Sequence, residues 1–179
     1  MMIVLVLVLT LALLTILLWR PVKAYFGYRG QRLVTCPDNH APAAVRVDAG
    51  QAALRALVPG DHLLQDCSRW PEKGDCGQEC LCEVEAGGNG TRVSEIVAKW
   101  YEGKSCTLCG TPIDHLNWSD NRAALIDAEG VTRRWDSARP EELPGIFETN
   151  QPVCWSCHIA ENFRRRYPDL VTQRAGSRS

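Results

Sequence analysis

No lysine or arginine precedes Arg20, and no acidic residue precedes Asp38. A cleaved secretory leader carries positive charge ahead of its apolar run and a small-residue cleavage site behind it, so the first absence argues against one. Methionine occurs only at Met1 and Met2, which leaves no thioether ligand for an iron centre in the rest of the chain. Excess positive charge is missing too. The net charge is -1 over 179 residues, whereas a nucleic-acid-binding domain is clearly basic. There is no glycine-rich phosphate loop and no nucleophile motif. Asp114, Asp120 and Asp127 form no pairing suited to acid–base catalysis. The expectation is a protein that is not an enzyme and has no nucleic-acid partner.

What the chain has in abundance is apolar length at one end and cysteine along the rest. Met1 to Trp19 is broken only by Thr10 and Thr15. As a helix rising ~1.5 Å per residue it reaches roughly 28 Å, close to the hydrocarbon thickness of a bilayer. Residues 1–22 are therefore expected to be a retained, single-pass transmembrane helix, and residues 23–35 a juxtamembrane linker. Arg20, Lys23, Arg29 and Arg32 gather on one flank while the other has no basic side chain. That asymmetry places the soluble part in the cytoplasm. Trp19, Tyr25, Phe26 and Tyr28 suit the headgroup belt. A reducing compartment keeps thiols free, so the nine cysteines point to metal in preference to disulfides.

Beyond the linker the expected class is α+β, built of short elements. Residues 36–103 form a first cysteine-rich subdomain, 104–168 a second, and 169–179 a flexible tail. Ala43 to Val47 alternates as a strand, Ala49 to Leu57 has helical composition, and Leu63-Leu64 begins a strand running into Cys67. Thr91 is placed to cap a helix carrying Val93, Ile96, Val97, Trp100 and Tyr101. Ala123 to Ile126 and Val131 to Trp135 read as a hairpin turning at Ala128-Glu129-Gly130. Pro140 to Thr149 is a short helix. Trp155 to Tyr167 is a longer one, with Ile159, Phe163 and Tyr167 along one stripe.

Cys106-Thr107-Leu108-Cys109-Gly110 and Cys154-Trp155-Ser156-Cys157 carry two CxxC pairs. Each such turn aims two sulfurs at a common point, so two of them supply one tetrahedral metal ion. With a hairpin between the pairs and a helix after the second, residues 105 to 167 resemble the treble-clef and zinc-ribbon group of zinc folds. The resemblance implies a structural zinc held by Cys106, Cys109, Cys154 and Cys157. It also implies that Gly110 lets the knuckle turn back on itself, and that the helix after Cys154 stabilises thiolates with its positive end. A rival reading takes Cys154-Trp155-Ser156-Cys157-His158 as the string that attaches c-type haem, with His158 as axial ligand. His40, His62 or His115 would then supply the sixth ligand. Thioredoxin-like dithiol chemistry at Cys106-Cys109 is disfavoured, because the pair follows a helix and precedes a hairpin.

The other five cysteines are spaced less regularly. Cys36, Cys67, Cys76 and Cys80 are the favoured second tetrahedral set, Cys76 and Cys80 lying one helical turn apart. Cys82 and His40 are alternative members. Ordinary buried thiols, or an iron–sulfur cluster from four thiolates, are the competing readings. Asn89-Gly90-Thr91 and Asn117-Trp118-Ser119 are glycosylation sequons of use only to an outward-facing domain. Arg164-Arg165-Arg166 is a solvated face or a contact for anionic lipid. Trp70, Trp118 and Trp155 serve as core or as contact residues. The function these features imply is a membrane-anchored zinc-binding adaptor or accessory subunit with a protein partner at the cytosolic face; the alternative is an anchored electron carrier.

Overall fold

The computed structural model describes residues 1–58, 60, 63–70, 72, 76–113 and 123–170. His62, Asp114, His115, Trp118, Asp120 and the sequon at Asn117 lie outside these residues, as does the tail from 171. The chain is a mixed α+β structure that divides into two compact units, Met1–Ile96 and Val97–Ser179.

The first unit opens with α1, Met2–Tyr28. Its 27 residues make a rod of about 40 Å, longer than a bilayer's hydrocarbon core. None of its residues is buried within the protein, and it is long and apolar enough to cross a membrane. The hydroxyls of Thr10 and Thr15 donate to the carbonyls of Leu7 and Leu11, at 2.9 and 2.8 Å, so both are satisfied within the helix. Helix continues through Pro21 as far as Tyr28. The segment 23–35, expected as a linker, is thus the end of α1 followed by a strand. Apolar pattern alone did not predict that strand, because its second residue is an arginine.

Three antiparallel strands follow in the order β1-β2-β3: Gln31–Thr35, Pro42–Val47 and Leu64–Cys67. Between β2 and β3, α2 (Ala49–Arg55) starts at Asp48, whose carboxylate accepts from the Gln51 amide at 2.9 Å, a standard cap. After β3 come α3 (Leu81–Gly87) and a 3-10 turn, Gly88–Thr91. Period-2 alternation sends Arg32 and Val34 to the buried face of β1. Val34, Ala43, Val45, Val47, Leu64 and Val84 make the core, closed by Cys67 and Cys80, with Trp70 packed against it.

The division between units falls within α4, Val93–Tyr101. The second unit carries another three-stranded antiparallel sheet, order β5-β4-β6: β4 is Ala124–Ile126, β5 Thr132–Arg134 and β6 Gln151–Val153. The β4–β5 hairpin turns at Gly130, φ 75°, where Asp127 Oδ1 accepts from the Val131 amide at 2.7 Å. Helices α5 (Leu143–Thr149) and α6 (Trp155–Arg166) bracket β6. Val97, Tyr101, Ala124, Leu125, Leu143 and Val153 are almost wholly buried. Trp100 stacks on Phe147 with ring centroids 4.7 Å apart.

Tyr101 is buried in this core, and its hydroxyl donates to the Ala124 carbonyl at 2.8 Å. Tyr101→Phe keeps the ring and leaves that carbonyl without its hydroxyl donor, so it should cost about 1–2 kcal/mol in a denaturant melt. A variant as stable as the parent would show that the bond contributes nothing.

Candidate metal centre

The two CxxC pairs meet. Backbone bonds build the first: the Cys106 amide donates to the Thr111 carbonyl at 2.9 Å and the Gly110 amide to the Cys106 carbonyl at 2.8 Å. A bridge between Ser105 and Pro112 holds the arms of the loop together. Closing so tight a loop puts Gly110 at φ 73°, where a side chain is strained and glycine is not. The second pair sits at the start of α6, with Cys154 as the residue preceding the helix and Cys157 in its first turn. Amides at that end face the sulfurs, and the helix dipole favours negative charge there.

Thr107 brings the pairs together. Its amide and its hydroxyl both donate to the Pro152 carbonyl, at 2.9 and 3.0 Å. Pro152 stands two residues before Cys154, so the knuckle is fastened to the strand that delivers the second pair. The four sulfurs consequently lie within 4.8 Å of one another. Cys109 and Cys154 are 3.7 Å apart, where four sulfurs at ~2.3 Å from a tetrahedral zinc would stand about 3.8 Å apart. The residues present fit a single metal ion.

Electrostatics agree with the geometry. The Cys109 thiol is held down to about 6 by hydrogen bonding from the Thr111 hydroxyl first, then from the Thr111 backbone and neighbouring thiols. Burial pushes Cys154 and Cys157 up, and hydrogen bonding within the cluster raises Cys157 further. Four sulfurs this close cannot all hold negative charge unless a cation replaces their protons.

His158, the proposed haem ligand, is buried and turned into the protein. Its Nδ1 lies 3.0 Å from the Thr132 hydroxyl, and Asn162 contacts the ring from one turn along α6. Trp155 is tilted over the same ring at 5.0 Å. The stripe Ile159, Phe163 and Tyr167 is half exposed on another face of α6.

Cys36, Cys67, Cys76 and Cys80 are brought to one place without converging as tightly. They line a cavity of about 400 Å³ together with Trp70 and Glu79. Cys67 and Cys80 are buried, Cys36 and Cys76 half-buried. Cys82 and His40, the alternative members, are both exposed. Three residues that position these sites had no signature in the sequence: Thr107 on its knuckle, Thr132 opposite His158, and Arg32 within β1. Compared with protein-family models, curated proteins and solved structures, the chain finds no match in any of the three.

Proposed function

We propose that this chain is a single-pass membrane protein whose soluble part is folded around zinc and serves as a non-catalytic adaptor or accessory subunit of a membrane complex. The observation that carries the reading is the convergence of four sulfurs to within 4.8 Å of one another, with Cys109 and Cys154 at 3.7 Å. Four thiolates fill a zinc ion's coordination shell and leave no position for substrate or water, so such an ion is structural. The treble-clef-like order of knuckle, hairpin and helix supports zinc over other thiophilic metals. His158 lends the haem alternative no support, since Thr132 and Asn162 already occupy its ring.

Retention of α1 is supported by its far end. The Phe26 and Gly27 carbonyls accept from the Arg92 guanidinium at 2.7 and 2.9 Å, so the last turn is tied to the folded unit. The cytoplasmic orientation rests on Arg20, Lys23 and Arg29, because Arg32 is buried and faces no headgroup. A binding role is consistent with the half-exposed apolar stripe on α6 beside Arg164, Arg165 and Arg166.

Metal analysis of protein extracted from membranes tests the chemistry. Colourless protein carrying zinc is expected; stoichiometric iron with a visible absorption band would replace the adaptor by the electron carrier. A reporter fused after Ser179 tests orientation, and is expected to be active in the cytosol.

A further inference from the structure

The loop after β1 repeats the backbone of the knuckle at Cys106. In the knuckle, the cysteine amide donates to the carbonyl five residues on, and the amide four residues on donates to the cysteine carbonyl. Cys36 does the same: its amide reaches the Ala41 carbonyl at 2.9 Å, and the His40 amide reaches the Cys36 carbonyl at 2.8 Å. The arms of both loops pair alike, Thr35 with Pro42 and Ser105 with Pro112. His40 holds the place of Gly110, at φ 53°, a conformation glycine adopts freely and histidine rarely. Asn39 holds the place of Cys109. Its Oδ1 accepts from the Ala41 amide at 3.1 Å, as Cys109 is hydrogen-bonded by Thr111. The sequence conceals this echo because only one cysteine of the pair is present.

We propose that Cys36, Cys67, Cys76 and Cys80 form a second thiolate site for a divalent, zinc-class cation, with Cys36 as the one ligand its knuckle-type loop retains. The other three come from elements tied to that loop. Cys67 ends β3 and pairs with Val45 of β2. Cys76 accepts a hydrogen bond from the Gln78 amide at 3.4 Å, the arrangement by which turns present amides to an anion. Gln78 is itself held at φ 56°, and its side-chain carbonyl accepts from the Leu64 amide at 2.9 Å. That bond locks the turn beside β3. Cys80 follows, buried against Val84 and Cys67 in the core. The four are electrostatic neighbours: after burial, the charges of Cys67, Cys76 and Cys36 add to the rise of the Cys80 thiol, in that order. These four cysteines line the wall of a cavity and, unlike Cys106, Cys109, Cys154 and Cys157, do not yet converge, so ligation draws them inward by side-chain rotation. Binding of metal replaces a proton on each thiol, which is released to solvent. Cys82, exposed on α3, is left out.

The test uses the full chain in detergent under reducing conditions. Stripped protein is titrated with Co²⁺ while thiolate-to-cobalt absorption is followed. Saturation at two equivalents is expected; saturation at one overturns the second site and leaves the Cys106–Cys157 clasp intact. Cys76→Ser should reduce the count from two to one, and Cys109→Ser should do so independently. Should either variant fail to fold, zinc-loaded wild type is alkylated and mapped by mass spectrometry. Alkylation confined to Cys82 supports two sites. Labelling of Cys36 and Cys76 with Cys109 and Cys157 protected overturns only the second site. Labelling of all five overturns both.

Discussion

Cys109→Ser is expected to unfold the unit from Val97 onward at temperatures where the parent is fully folded. Cys109 is exposed, so exchanging sulfur for oxygen there makes no cavity and disturbs no packing. Whatever stability is lost comes from ligation. A structural zinc contributes on the order of 10 kcal/mol to folding, while a domain has only about 5–15 kcal/mol in total. The apolar core here is thin, a handful of side chains from Val97 to Val153, with β-strands of three residues each. Losing one thiolate should therefore remove several kcal/mol, more than the remaining packing can offset. The Trp100–Phe147 stack supplies the readout, because its near-ultraviolet circular dichroism vanishes when the core opens. Cys82→Ser, also at an exposed thiol, should change nothing. A Cys109→Ser protein that melts within about 1 kcal/mol of the parent would remove the metal from the account of this fold.

Much of this clasp was legible before the structure, and the reason is chemical. CxxC fixes its own local geometry, so two pairs announce a tetrahedral site wherever the chain between them runs. The β4–β5 hairpin and α4 were readable for a similar reason, since their periodicity spans enough residues to be counted. Strands β1 and β6 were not. Gln31–Thr35 contains Arg32, which beside a membrane helix reads as a flanking charge; Gln151–Val153 is three residues long with a proline in the middle. Neither has a pattern of its own, and pairing with β2 and β4 makes them strands. The contact of Thr107 with Pro152 was invisible because its acceptor is a backbone carbonyl, which every residue type carries.

Helix α6 shows how a site can decide which face of a helix is inside. Ile159, Phe163 and Tyr167 are the apolar stripe, and by burial alone that stripe would turn inward. Instead His158 is buried, with Cys154 and Cys157 half-buried beside it, and the apolar stripe is left half exposed. The sulfur cluster and the His158–Thr132 contact outrank three apolar side chains. The same competition acts in the first unit, where a charged residue takes a core position of β1.

That residue, Arg32, should show the second large effect. It is 2% exposed, and its guanidinium donates to the Gly27 and Gly88 carbonyls and to the Thr91 hydroxyl. Gly27 lies in the last turn of α1, whose final carbonyls have no partner within the helix. Arg32 thus joins the end of α1 to β1 and to the 3-10 turn, with Tyr28 beneath its charged plane at 5.7 Å. Arg32→Ala removes all three bonds, leaving the Gly27 carbonyl to Arg92 alone and the Gly88 carbonyl to the Thr91 hydroxyl. Hydrogen bonds to a charged group contribute about 1.5–3 kcal/mol each, and partial access to water reduces their sum, so a loss of roughly 3–5 kcal/mol is expected. Arg32→Lys should recover only part of it, because a single ammonium cannot reproduce the fork that reaches all three acceptors. Arg29→Ala, at an exposed position three residues earlier, should be neutral. Arg92 sharpens the prediction. It bonds the Phe26 and Gly27 carbonyls from the same side, and after burial its charge is the next cause lowering the Arg32 pKa. Each arginine therefore works against its neighbour's repulsion as well as for the helix end. Removing both should cost more than the two single losses added together, because each single removal already relieves that repulsion, so the sum counts the relief twice, and because either single variant leaves the Gly27 carbonyl one arginine. A double-mutant cycle, read by chemical denaturation in detergent, measures the difference. Strict additivity would mean the two guanidinium groups act independently. A loss under about 1 kcal/mol for Arg32→Ala would mean that α1 is not secured to its domain by this residue.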